Sequence, residues 1–114
     1  MEFDKLRTIQ IEERKKSSLQ KINEDFYEEI QPIIHPTIED DMVGKDIHLA
    51  RSMRICVDNI IMLRFQKIVK VATKSAMSGN TPMIVQHMTP EEKELFNQIN
   101  TSTSIFMERV YESE

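Results

Sequence analysis

The stretch that decides the fold is Lys45 to Ser78, KDIHLARSMRICVDNIIMLRFQKIVKVATKSAMS, which contains neither Pro nor Gly. Ala50, Met53, Val57, Ile60, Ile61, Ile68, Val71 and Ala72 recur at helical spacing and predict one continuous helix. At ~1.5 Å per residue it would be roughly 50 Å long. A compact domain of about 100 residues has a radius of gyration of only ~13 Å. Met62, Leu63 and Phe65 fall outside the main stripe, so the middle of the helix is apolar on more than one side. A helix of that kind packs against more than one neighbour. These three positions are therefore expected at a subunit contact or against the terminal helix.

The sequence on either side supports an all-α reading: a helical bundle of about four main helices around one long central helix, with no β-sheet. The chain of 114 residues fits one domain, expected over 1–114. It holds only two Gly and four Pro, the residues that punctuate loops. A first helix is predicted from about Glu2 to Lys16, with Phe3, Leu6 and Ile9 on one side and cations in its last turn. Ser17 and Ser18 break the pattern, and Leu19 and Ile22 are expected to cap the core beneath. A second helix is predicted from an N-cap at Asn23, with Phe26, Tyr27, Ile30, Ile33 and Ile34 inward, ending or kinking near Pro32. The acidic stretch Glu39-Asp40-Asp41 is read as a loop or as the entry to the long helix.

Ser78 to Pro82 is the clearest linker. Met83 to Met88 is expected to be extended or a single helical turn. Thr89-Pro90-Glu91-Glu92 is a capping box that opens the last helix. Leu95, Phe96, Ile99, Phe106, Met107 and Val110 supply its apolar face, and Phe106 is also a candidate interface residue. Asn100 to Ser104 interrupts that face with small polar residues, which predicts a weak or kinked middle.

No catalytic or metal-binding pattern emerges. His35, His48 and His87 lack ligand spacing, and adjacent acidic pairs such as Glu12-Glu13, Glu28-Glu29 and Asp40-Asp41 diverge on a helix. No Gly-rich phosphate loop is present. No catalytic, metal or cofactor-binding residue is assigned, and no cofactor is expected. The formal net charge of −4 argues against direct nucleic-acid binding, which normally needs a basic face. The single cysteine, Cys56, and the lack of a long apolar run predict a soluble intracellular chain with no membrane contact. Arg64 lies in register with the apolar stripe. It is read either as an arginine whose head reaches water or as a structural ion pair with an acid of the first or second helix, such as Glu13 or Glu28. Arg54 and Asp58 form a surface pair.

Several segments together carry a family resemblance: LRTIQIEERK at 6–15, NEDFYEEI at 23–30, Asp58-Asn59-Ile60-Ile61 with Arg64 and KIVKVA at 67–72, and MTPEEKELF at 88–96. In this order and spacing the chain resembles the helical domain of archaeal GINS subunits, of the class in which that domain comes first. The resemblance implies a non-catalytic scaffold in a four-subunit replisome assembly, a homotetramer or a heterotetramer with a sister GINS subunit. Such an assembly couples the MCM helicase to a RecJ- or Cdc45-like partner and in archaea also contacts primase or polymerase. It implies a cytoplasmic, nucleoid-associated protein. The small β-rich domain usual after the helical one in this class is not present within the 114 residues. Two other readings stand beside it: a small helical enzyme of chorismate-mutase type, enlisting Arg7, Arg51, Arg54 and Arg64, or an unrelated helical adaptor.

Overall fold

The computed structural model describes residues 1–36 and 44–112. The stretch Glu39-Asp40-Asp41 lies outside the described residues. The order of elements is α1 (Phe3–Lys15), α2 (Phe26–Glu29), α3 (Gln31–Ile34), α4 (Gly44–Ser78), a 3-10 helix (Met83–His87) and α5 (Pro90–Tyr111). The protein is all-α, with no strand among the described residues. The predicted long helix is α4, 35 residues in one piece.

The three long helices all run in the same sense. On α1, Gln10 meets Asn59 and Cys56 of α4, Glu13 meets Arg64, and the carbonyl of Lys16 meets Lys67. On α5, Glu92 meets Arg64 and Asn100 meets Ser75. Residue numbers rise together in both pairings. The chain therefore climbs each long helix and returns by a poorly helical segment. The first return includes Leu19, Gln20, α2 and α3, and ends with the carbonyl of Ile34 accepting from Arg54. The second is the turn after Ser78 followed by the 3-10 helix.

Local chemistry accounts for the breaks. Gly79 sits at φ 76°, and its N–H bonds the carbonyl of Ser75 at 2.9 Å, a left-handed stop for α4 that suits glycine. Thr89 and Glu92 form the predicted capping box, side chain to backbone in both directions. The second predicted helix is shorter than expected. Asn23 is not its N-cap: Asn23 Oδ1 accepts the N–H of Asp25 in a turn, and the helix begins at Phe26. It divides at Ile30, and Pro32 then sits in the first turn of α3, where a missing N–H is harmless. The last helix, in contrast, is unbroken from Pro90 to Tyr111. Asn100 does not weaken it, because its side chain donates to Ser75 Oγ at 2.9 Å and so packs α5 onto α4.

Among the described residues two apolar clusters form the interior. One gathers Leu6, Phe26, Ile30, Cys56, Val57 and Ile60, with Ile22, Ile33 and Ile34 at its margin. The other gathers Leu19, Ile68, Ala72, Met88 and Phe96. Phe26 also meets Tyr27 edge to face, centroids 5.3 Å apart. The face predicted for α5 is buried only in part. Phe96 is buried, whereas Phe106 is 61 % and Val110 49 % exposed. The reason is the shared direction of α4 and α5. α4 ends one turn after Ser75, so about two turns of α5 project beyond it. Roughly 52 Å of α4 plus ~12 Å of overhang matches the 66 Å long axis of the molecule, and the radius of gyration is 17.8 Å.

Phe26 is fully buried and holds the first return segment against α4. Phe26→Ala is expected to destabilise the fold by about 3–5 kcal/mol, read as a lower urea midpoint with an unchanged m-value.

Candidate functional site

Arg64 lies between the two apolar clusters and is fully buried. Its place on α4 follows the stripe: Ile60 and Ile68, one turn away on each side, belong to the two different clusters. Its five N–H donors are all used. Nε and Nη2 grip the two carboxylate oxygens of Glu92, at 2.6 and 2.7 Å. Nη1 donates to Glu13 Oε1 at 2.7 Å and to the carbonyl of Gln20 at 2.6 Å. Nη2 also reaches the carbonyl of His87 at 3.3 Å. One side chain of α4 thus holds α1, the first return segment, the 3-10 helix and α5.

The surroundings complete the network. Lys67 Nζ bonds Glu13 Oε2 and the carbonyls of Glu13, Lys16 and Ser18, which closes the end of α1. Tyr27 donates its hydroxyl to Glu92 Oε2 at 2.7 Å, and the N–H of Thr89 donates to Glu92 Oε1 at 3.0 Å. His87 Nδ1 lies 3.0 Å from the carbonyl of Leu19. Arg64, Lys67, Glu13 and Glu92 carry two positive and two negative charges, so the buried cluster is formally neutral.

Protonation states follow from this geometry. Burial pushes the Glu92 carboxyl up, but the Arg64 guanidinium, the Thr89 N–H and the Tyr27 hydroxyl outweigh it and hold the group below the usual carboxylate range. Burial likewise opposes the charge on Arg64, and the carboxylates of Glu92 and Glu13 overcome it, raising its affinity for the proton. Burial, followed by the neighbouring Glu92 charge, pushes the Tyr27 hydroxyl above its ordinary value, so it remains a donor. The Cys56 thiol is also pushed up by burial against the weaker pull of Arg7 and Arg14, which leaves it a small buried thiol rather than a nucleophile.

Of the two acids expected opposite Arg64, the structure places Glu13 there and not Glu28. Glu92 is the partner that sequence reasoning missed. Its signal was present, because a capping-box glutamate is fixed at the helix start and has a second oxygen to offer. Met62, Phe65 and Phe106 are exposed, and Leu63 is half-buried. Phe65 borders a shallow apolar groove of about 210 Å³ with Tyr27, Ile61, Ile68 and Leu95. The arginines considered for a dianion site do not converge. Arg7 bonds Gln10, Arg54 pairs with Asp58 at 2.9 Å, and Arg64 has no donor left. Among the described residues no group of His, Cys, Asp and Glu is arranged to hold a metal ion, and no helix is long and apolar enough to cross a membrane.

The arrangement is a structural clamp with exposed apolar faces outside it. A family model, GINS complex subunit Psf2/Psf3-like N-terminal domain, matches residues 3–114. The chain belongs to this family. No curated protein and no solved structure matches the chain. Membership makes it a non-catalytic GINS subunit of the DNA replication machinery that forms a complex with other GINS subunits. In this GINS subunit the buried charge cluster supports assembly of the fold, not turnover.

Removing the guanidinium leaves Glu13 and Glu92 buried with Lys67 as their one cation. Arg64→Met is expected to cost about 3–5 kcal/mol, measured by urea denaturation. The folded carboxyl of Glu92 titrates below its unfolded value of ~4.3. Its stabilising contribution is therefore complete above about pH 4.3 and is lost as pH falls through the folded value. Stability measured from neutral to acid pH should drop in that window, and the drop should be smaller in Glu92→Gln.

Proposed function

We propose that this GINS subunit is a scaffold whose uncovered apolar faces seat sister subunits, in a homotetramer or a heterotetramer. In that assembly it links the MCM helicase to a RecJ- or Cdc45-like partner, with primase or polymerase as a further contact. The observation that carries this reading is the second apolar stripe of α4. Ile55 and Met62 lie one above the other on the side of α4 opposite Ile60 and Arg64, Phe65 flanks them at the rim of the groove, and the three are 68, 54 and 44 % exposed. Leu63 lies beside them. The overhang of α5 adds Ile105, Phe106 and Tyr111, and the last turn of α4 adds Met77. Large apolar side chains gathered in rows, instead of scattered singly, mark a surface that another protein covers.

The other described elements pack on the inner face of α4, so a second copy or a sister subunit is what fits the outer one. Met62, Leu63, Phe65 and Phe106 are accordingly the proposed contact residues, and Arg64 acts behind them by fixing the direction of α4 and α5. A net charge of −4 favours protein partners over nucleic acid.

Burying one large apolar side chain is worth roughly 1.5–3 kcal/mol, or roughly 10- to 100-fold in affinity. Phe65→Glu and Phe106→Glu are each expected to lower the molar mass found by light scattering, alone or with a sister subunit, while the circular dichroism spectrum and Tm are retained. Wild-type mass in both variants at micromolar concentration would sink the assignment of these faces.

A further inference from the structure

Two acid-free stretches carry clustered cations: Arg14 to Lys21, RKKSSLQK, and Gln66 to Ser78, QKIVKVATKSAMS. In a chain of net charge −4 they stand out by their lysines. The fold brings them side by side. Ser17, Ser18 and Leu19 form one wall of a groove of about 310 Å³ whose other walls are Lys67, Lys70, Val71, Lys74 and Ile84. A second hollow of about 200 Å³ shares Val71, Lys74 and Ile84 and continues toward Ser78, Asn80 and Pro82. The two make one trough along the last third of α4.

The cations in it differ in availability. Lys67 is spent on Glu13 and three backbone carbonyls. Lys70 and Lys74, one turn apart on α4, are exposed, and their ammonium groups have no hydrogen bond or ion pair among the described residues. Glu13 is buried beneath Lys67, and Glu12 is paired with Lys16. No carboxylate lines the trough.

We propose that this trough binds a short acidic segment of a partner protein, with an aliphatic side chain seated between Leu19, Val71 and Ile84 and flanking carboxylates on Lys70 and Lys74. Three observations select this occupant. The lysines ask for an anion. The floor between them is aliphatic, which a bare phosphate backbone leaves unfilled. No aromatic side chain lines the trough, so it has no platform on which a nucleic-acid base would stack. From Lys67 to Ser78 the helix rises ~16 Å, the length of about five extended residues. The site is separate from the stripe of Ile55, Met62 and Phe65, so it adds a second kind of contact to the scaffold.

The test uses the full chain and a fluorescein-labelled peptide, Asp-Glu-Leu-Glu-Asp, followed by anisotropy at low and high salt. Saturable binding weakened by salt is expected, with carbodiimide cross-links mapping to Lys70 and Lys74. The double variant Lys70→Glu with Lys74→Glu should lose about tenfold or more in affinity. Replacing the peptide leucine by glycine, or Ile84 by serine, should weaken binding as well. The proposal is overturned by absence of saturable binding at low salt, by an unchanged affinity in the double lysine variant, or by labelled oligo-dT binding more tightly than the peptide through the same lysines. Phe65→Glu should leave peptide binding intact, so a failure here is distinguishable from a failure of the subunit-contact reading.

Discussion

Arg64 meets a constraint that few buried cations satisfy: five donors in a rigid plane, each with an acceptor at hydrogen-bond distance. Charge burial is costly unless the partners are fixed in advance. Here they are, because each acceptor belongs to an element already held by something else. Glu92 is pinned by its own helix start through Thr89. Glu13 is held by Lys67 and by the N–H of Gln20. The carbonyls of Gln20 and His87 come from the two return segments. The guanidinium does not pull loose parts together. It selects one relative placement of parts that have little other reason to meet. An apolar residue at position 64 could fuse the two clusters, but it would tolerate sliding of α1 or α5 along α4, which a bidentate fork does not.

How far the sequence could be read depended on whether a signal was local. The periodicity of α4, the linker that follows it at Ser78 to Pro82 and the capping box of α5 are all set within a few residues, and each is visible in the sequence. The Arg64–Glu13 contact spans 51 residues and was open to inference only as one of two acids. Glu92 escaped notice because its local role at Thr89 already accounted for it. The polar run at Asn100 looks like a weakness of α5 in sequence because nothing local reveals that Ser75 lies opposite. Phe106 continues the apolar face that Leu95 and Phe96 begin, yet it is exposed where Phe96 is buried. The pattern on a helix cannot say where the neighbouring helix ends.

The same geometry explains the charge distribution. With α1, α4 and α5 pointing one way, their dipoles lie side by side and repel weakly. The sequence offsets this at the helix ends, with Asp4, Asp46, Glu91 and Glu92 in first turns and Arg14, Lys15 and Arg109 in last turns.

That shared direction also governs how the chain can reach its native state. No two long helices are joined as a hairpin, so none meets its partner by simply folding back. The contacts that define the structure close loops of 28 residues between Arg64 and Glu92, 51 between Glu13 and Arg64, and 65 between Tyr27 and Glu92. For a helical protein these are large separations, and loop closure precedes any reward from packing. During synthesis α1 emerges long before α4 offers it a surface, and the Arg64 site stays open until the capping box of α5 has left the ribosome. The Arg64 clamp is complete only once α5 is in place, and the outer faces of the subunit take their final arrangement with it.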